Sequence, residues 1–333
     1  MLEVELDIFS GMPNPTWILS EKEEQALIEQ LDAGSAPLAD GASNDQLGLG
    51  YRGLIVRHIK SDGRPTGAHA ATRIELPHEF RVGDTAATLP AAQWLLKTSE
   101  KAHKHSQVSD AMREIAAAGV SLVHPADGAA DPVSTQPADN VDPASEFSRF
   151  PTMPGEGADS PDGCSPSADM GVRSASWWNC PSNTFLANAA TFNRPANVGR
   201  NNCYCFASNH LAGVRYALPG RRGGRPATSI TCSGVIAGLY ADGWKDGCQQ
   251  NGLTIVLVIW PGQDYHFYRL VTGGPNWWWG HKPGGTPAKY TDDCGNSLYQ
   301  VNGRGYAPNN CCRGPYTDFC GYFYQNNSTA FVA

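Results

Sequence analysis

Long apolar runs are absent from this sequence of 333 residues, and its first 163 residues contain no cysteine. No stretch approaches the roughly 18 consecutive apolar residues that a membrane-spanning helix requires. The start MLEVELDIFSG has neither the basic region nor the apolar core of a secretory signal. The Gly-rich stretch PGRRGGRP lacks the spacing of a phosphate-binding P-loop. We therefore expect no membrane span, no Sec signal, no cofactor and no nucleic-acid partner.

Charge is divided unevenly between the two halves of the chain. Up to Asp169 there are 26 acidic and 12 basic residues, whereas from Arg173 onward there are 6 acidic and 13 basic residues. This asymmetry is consistent with an anionic partner for the second half, with an intramolecular contact between the acidic and basic halves, or with ordinary solvated surface.

The ten cysteines share the same bias, because nine of them lie between Cys180 and Cys320. Such density is typical of a disulfide framework formed in an oxidising compartment, and it favours an exported or extracytoplasmic protein. The absence of a recognisable signal peptide does not favour export. Three explanations stay open: export by another route, a mature sequence whose signal has been removed, or a cytosolic protein whose thiols stay reduced.

Composition predicts an α+β protein with three parts. Residues 1–125 form a small α+β module of unassigned function, with LEVELDIF, GYRGLIVRHI and ATRIEL as strands. Ser20 and Glu23 have the spacing of a capping box before one helix, and LPAAQWLLKTSEKAH predicts a second. Residues 126–172 carry nine acids and one arginine among Pro, Ala, Ser and Gly, which is typical of a linker.

Residues 173–333 form the Cys-rich domain, where helices are expected to pack on an antiparallel sheet. The pattern predicts helices at 203–217 and about 232–241, and strands at 253–260, 265–271 and 277–282.

A candidate reactive thiol lies in NNCYCFASNHLAGVRYA. If Asn202 caps the helix, Cys203 occupies its first turn, where backbone N–H groups and the helix dipole favour a thiolate. A nucleophile also needs a general base, and His266 in QDYHFYRLV is the best candidate. The following hairpin brings His281 near His266, so His281 is one candidate to orient the imidazole; Asp293, with Asp292 and Asn296, is the alternative.

The segment Cys203-Tyr204-Cys205-Phe206-Ala207 resembles the start of the catalytic helix in papain-like cysteine hydrolases, including the CHAP and NlpC-type amidases. The chain order over roughly residues 201–296, a Cys on a helix, then a His on a strand, then a polar residue, is similar to the order in that superfamily. The resemblance implies a papain-like α+β fold and cleavage of amide bonds in peptides or cell-wall peptides. Cys203 would be the nucleophile, Asn202 and Tyr204 would flank it, and backbone N–H groups would stabilise the oxyanion.

Other assignments compete at the same residues. Cys232 begins the predicted second helix with CSGV, which also resembles the NlpC-type nucleophile, whereas Cys205 is better suited to a disulfide. A zinc site built from Cys203, Cys205, His266 and His281 is the weaker alternative, because no second paired motif has zinc spacing, and we expect no metal. Four side chains could bind a substrate, three through guanidinium groups in a Gly-rich loop and one through an aromatic ring: Arg221, Arg222, Arg225 and Trp278.

Three functions therefore remain open, the third being a toxin-like effector whose acidic front half acts as a built-in inhibitor. The first is a thiol-dependent hydrolase that acts as a cysteine peptidase or amidase. The second is a disulfide-stapled binding or structural protein without chemistry, whose aromatic and basic surface recognises a polymer.

Overall fold

The computed structural model describes residues 1–34, 48–59, 76–101, 108–122, 180, 183–272, 276–301 and 304–333. The chain divides into two compact units, Met1–Asp127 and Gly128–Ala333, and each is described by itself. Both contain helices and an antiparallel sheet, so the predicted α+β class is confirmed. The predicted linker 126–172 and most of the ATRIEL strand lie outside the described residues, and the three-part division stays a prediction.

The first unit has a four-stranded antiparallel sheet in the order β2-β1-β3-β4. The predicted strands at the chain start and in GYRGLIVRHI are confirmed, and so are both predicted helices. The described elements are β1 (Leu2–Leu6), β2 (Thr16–Ile18), α1 (Glu21–Gly34), β3 (Leu54–His58), β4 (Glu79–Val82), a 3-10 turn (Ala86–Thr88), α2 (Leu89–Lys101) and α3 (Asp110–Leu122).

Local signals explain these helices. Ser20 donates from its backbone N–H and its hydroxyl to the Glu23 carboxylate, at 2.9 and 2.7 Å, as the capping-box spacing predicts. The buried side of α2 includes Ala92, Leu95 and Leu96. Helix α3 begins after Val108 and Ser109, and the sequence analysis did not predict it.

A buried ion cluster holds the sheet of the first unit together. Asp7 accepts hydrogen bonds from Arg52 at 2.8 Å and from Arg81 at 2.7 Å, and all three side chains are buried. Burial alone would raise the pKa of Asp7, but the two guanidinium groups outweigh it and hold the pKa well below its usual range. Loss of Asp7 would leave two buried guanidinium groups without this counter-charge.

The second unit is built on a six-stranded antiparallel sheet in the order β10-β5-β6-β7-β8-β9. The predicted strands at 253–260, 265–271 and 277–282 correspond to β5, β6 and β7. The elements are α4 (Ala189–Asn193), α5 (Pro195–Val198), α6 (Cys203–Ala207), α7 (Cys232–Ala241), β5 (Gly252–Trp260), β6 (Asp264–Thr272), β7 (Asn276–His281), β8 (Tyr299–Val301), β9 (Arg304–Gly305) and β10 (Asp318–Asn326).

The helix predicted over 203–217 is wrong in length, because α6 ends at Ala207. Asn209 has φ 51°, a left-handed conformation that a continuing helix does not contain. The Asn209 side chain is fixed there, donating to Asn327 and accepting from Asn188. Leu211, which the longer helix would have buried, is 43% exposed.

Three disulfides connect the described parts of the second unit: Cys180–Cys248, Cys232–Cys320 and Cys294–Cys312. They close loops with sequence separations of 68, 88 and 18 residues. The predicted framework of disulfides is thus present. Among the described helices of the chain, none is long and apolar enough to cross a membrane.

Candidate functional site

Helix α6 is short and wholly buried, and it begins as the sequence predicts. Asn202 is its N-cap, and its side-chain oxygen accepts from the Cys205 N–H at 3.2 Å. The Asn202 amide also donates to the Ala217 carbonyl at 2.9 Å, which fixes the segment that follows the helix. Cys203 therefore does occupy the first turn of a capped helix.

The environment of Cys203 favours a thiol and not a thiolate. Its side chain is fully buried, and Sγ lies 3.9 Å from the Tyr265 carbonyl oxygen, to which it donates. Burial raises the pKa of the Cys203 thiol well above its usual value, and Asp264 raises it further; the Phe267 backbone and Lys282 only partly oppose this. Burial therefore favours the neutral thiol over the reactive thiolate.

Strand β6 has two faces, and α6 packs on the face opposite to His266. The ring of Tyr204 lies 5.1 Å from that of Phe267, and Arg269 donates to the Phe206 carbonyl at 2.6 Å. Because side chains alternate along a strand, His266 points to the other face of the sheet. The structure therefore does not bring Cys203 and His266 together on one face, and the proposed zinc ligands are divided in the same way.

His266 and His281 do lie together, on the second face. His281 is paired with Tyr268 in the sheet and stacks on its ring, so His281 lies diagonally across from His266. The distance from His266 Nε2 to His281 Nδ1 is 2.8 Å, and His281 Nε2 lies 2.8 Å from the Thr291 carbonyl oxygen. The contact between the two histidines agrees with the hairpin argument, although their catalytic roles stay predictions.

The hydrogen-bond partners fix the tautomers of the pair. A carbonyl only accepts, so His281 Nε2 carries a proton toward Thr291. Burial lowers the pKa of His281 well below its usual value, with a further contribution from Lys289, so the ring is neutral and its Nδ1 is an acceptor. His266 therefore donates from Nε2.

The histidine face of the sheet is covered by the segment around residues 311–316. Tyr316 donates to the Asp264 carboxylate at 2.5 Å, and its ring lies 5.7 Å from that of His266. Cys311 Sγ is 4.0 Å from the Tyr268 hydroxyl, and burial raises the pKa of this thiol. Both histidines are fully buried. The pair is part of a closed polar core and offers no surface to a bulky substrate.

The remaining predicted catalytic residues are Cys232 and Asp293. Cys232 is half-buried and joined to Cys320, so the prediction that it is an alternative nucleophile is wrong: its sulfur is already bonded. Asp293 is half-buried, and its backbone N–H donates to the Cys312 carbonyl at 3.2 Å. It lies beside the Cys294–Cys312 disulfide.

Cys205, expected in a disulfide, carries a thiol instead. Its Sγ donates to the Val214 carbonyl at 3.5 Å, and burial raises its pKa to about 11. Asp292, Cys294 and Cys312 form a cluster with spacing suited to a metal ion, but the two sulfurs are joined to each other and are not thiolate ligands.

Tyr204, predicted to flank a nucleophile, anchors a buried network. Its hydroxyl donates to Asp242 at 2.7 Å and accepts from the Trp244 indole at 3.1 Å. Asp242 also accepts from the backbone N–H groups of Gly220 at 2.7 Å and Gly223 at 2.8 Å. These two glycines belong to the loop of residues 219–226, called the arginine loop below. The arginines of this loop are evident in the sequence, whereas the role of Asp242 is not, because only the fold places that residue beneath the loop.

The arginines and Trp278 differ in exposure. Arg221, Arg222 and Arg225 are exposed. Trp278 is half-buried, and its ring lies 4.4 Å from that of Tyr299 on the neighbouring strand. The three arginines therefore lie at the surface, whereas Trp278 packs across the strands, and a substrate-binding role for any of them stays a prediction.

The chain was compared with known proteins. It is 39% identical over 126 residues to insoluble matrix shell protein 1 of Ruditapes philippinarum, which is 37% of this chain and 78% of that protein. The chain belongs to the family of insoluble matrix shell protein 1. No family model and no solved structure matches the chain. The resemblance to a papain-like fold accordingly stays a prediction.

Membership in the shell matrix family corrects the predicted enzyme class. The relative is named as an insoluble shell matrix protein and not as a hydrolase, which contradicts the predicted class of cysteine peptidase or amidase. The alternative, a disulfide-stapled structural or binding protein, agrees with both the relative and the three disulfides.

Proposed function

We propose that this protein is a non-catalytic structural component of an insoluble matrix, in which a disulfide-stapled domain binds a polymer. The observation that carries the proposal is the 39% identity to insoluble matrix shell protein 1, across 78% of that protein. The sequence analysis also expected a polymer partner; in this proposal the protein binds the polymer and does not cleave it.

The interior of the second unit supports a structural role. Cys203, Cys205 and Cys311 are all buried thiols, and burial raises the pKa of each. A catalytic cysteine needs the opposite, a depressed pKa and an accessible sulfur. The histidine pair is equally enclosed, so the polar groups that resemble a catalytic set act as internal hydrogen-bond partners.

The disulfides also support this role. By the loop-entropy relation, cross-links that close 68 and 88 residues each stabilise a fold by about 4.5 kcal/mol, and one that closes 18 residues contributes about 3 kcal/mol. These covalent links are independent of bound cofactors. They suit a protein that must keep its surface intact within a solid.

The test is co-sedimentation of the full oxidised chain with three insoluble polymers: chitin, cellulose and cross-linked collagen. We expect at least one polymer to retain the chain, with no soluble sugar or peptide released from the particles. A matched control is the same chain after reduction and alkylation, which should be retained less because the domain loses its cross-links. Release of fragments, or a chain that stays in every supernatant, would contradict the proposal.

A further inference from the structure

The arginine loop presents three guanidinium groups on a rigid base. Arg221, Arg222 and Arg225 lie within five residues, and every residue from 221 to 226 is exposed. Among the described residues, no carboxylate forms an ion pair with any of the three. Within the described part of the chain, the three guanidinium groups are thus exposed and available to a ligand.

The backbone of this loop is fixed by hydrogen bonds to the Asp242 carboxylate and within the loop itself. The Asp242 carboxylate holds Gly220 and Gly223, and inside the loop the Arg225 N–H donates to the Gly220 carbonyl at 2.9 Å. Gly220 has φ +85°, and a Cβ there would lie 2.0 Å from the Arg225 carbonyl oxygen. The loop is therefore preorganised, which reduces the entropy lost when a ligand binds.

An aromatic surface adjoins the cluster. The Arg222 guanidinium lies 4.8 Å from the centre of the Phe331 ring, and the His210 ring meets the same ring edge-on at 5.0 Å. Phe331 is 39% exposed. Burial and then Arg222 lower the pKa of His210, so at neutral pH the positive charge comes from the arginines. Guanidinium groups can hydrogen-bond to anionic groups, and an exposed aromatic ring can stack on an apolar face. Their combination therefore suits a polymer that alternates anionic groups with apolar faces.

We propose that the arginine loop binds an acidic polysaccharide through its sulfate or carboxylate groups, with Phe331 against a sugar ring. This inference rests on the proposed function, because it names the matrix polymer that the domain would recognise. Three guanidinium groups within five residues form a short cluster, whereas nucleic-acid binding commonly neutralises 6–10 phosphates along a track. Sulfate and carboxylate both accept paired N–H donors from one guanidinium.

The experiment measures binding of the full oxidised chain to soluble heparin, which is sulfated, to hyaluronate, which is carboxylated, and to neutral dextran. We expect heparin or hyaluronate to bind, dextran not to bind, and affinity to fall as salt is raised. Changing Arg221, Arg222 and Arg225 together to Gln should weaken binding at least tenfold. Changing the same three to Lys should cost less, because charge is kept while the paired geometry is lost.

A control variant of equal net charge separates the loop from bulk electrostatics. It changes three other exposed arginines to Gln, namely Arg194, Arg200 and Arg304. We expect less than threefold weakening in this variant. Equal losses in both triple variants, binding to dextran, or tighter binding to a DNA duplex than to both acidic polysaccharides would overturn the inference. Undiminished binding of the loop variant to heparin and hyaluronate would overturn the inference and leave the structural function intact. Failure of the native chain to sediment with any insoluble polymer would instead overturn the structural function.

Discussion

Removal of the Cys232–Cys320 disulfide should destabilise the second unit more than removal of any short cross-link. This bond ties α7 to β10 and closes a loop of 88 residues, for which the loop-entropy relation gives about 4.5 kcal/mol. Both cysteines are half-buried, so replacing them with Ala leaves little cavity and the loss should come mainly from the cross-link. The Cys294–Cys312 loop of 18 residues should contribute about 3 kcal/mol.

Amide hydrogen exchange read by mass spectrometry measures these losses in the full chain. In peptides from β5 and β6, protection should fall by roughly three orders of magnitude in the variant Cys232→Ala with Cys320→Ala, because about 1.4 kcal/mol corresponds to a factor of ten. The matched variant Cys294→Ala with Cys312→Ala should lose about two orders of magnitude. Peptides from β1 and β3 in the first unit are internal references. A loss below tenfold for the long loop, or an equal loss for the short one, would refute the loop-entropy reasoning.

Two further predictions concern buried polar groups. Burial depresses the folded-state pKa of His281, so below about pH 6.5 the unfolded chain binds more protons than the folded chain. The unfolding free energy should therefore fall as the pH drops, by at most about 1.4 kcal/mol per pH unit. Denaturant melts between pH 7.5 and 5 measure this fall, and the variant His281→Gln should show a flatter dependence on pH. The change Asp242→Asn replaces one carboxylate oxygen with an NH2 group that faces a backbone N–H, so the arginine loop should loosen at a cost of about 1–3 kcal/mol. Limited trypsin digestion should then cut after Arg222 much faster than in the native chain. An unchanged rate of cutting would count against the anchoring role of Asp242.

Much of the sheet was predictable because its strands have strong local signals. The run GLTIVLVIW is apolar apart from Thr254 and fully buried as β5, and β6 is buried from Asp264 to Val271. The length of α6 was not predictable from periodicity, since Asn209 ends the helix through a left-handed backbone conformation. A single sequence gives no pairing for ten cysteines, so neither the partner of Cys232 nor the free thiol of Cys205 could be deduced.

The relative placement of the predicted catalytic residues depends on tertiary packing that the sequence does not show. Alternation along β6 correctly separated His266 from Phe267, but it does not say which face a preceding helix will cover. Helix α6 packs on the Phe267 face, and this choice separates Cys203 from the histidine pair. A helix cap, a strand histidine and a hairpin partner were each predicted at the right position, yet together they form a buried core.

The proposed function, a structural domain with enclosed thiols in place of a thiol enzyme, is tested most directly by alkylation of the native chain. The full chain is treated with iodoacetamide at neutral pH without reductant, and modification of Cys203, Cys205 and Cys311 is followed by peptide mapping, with the guanidinium-unfolded chain as the control. The account predicts that all three stay unmodified in the native chain while they react within minutes once it is unfolded. Rapid modification of Cys203 alone in the native chain would contradict it.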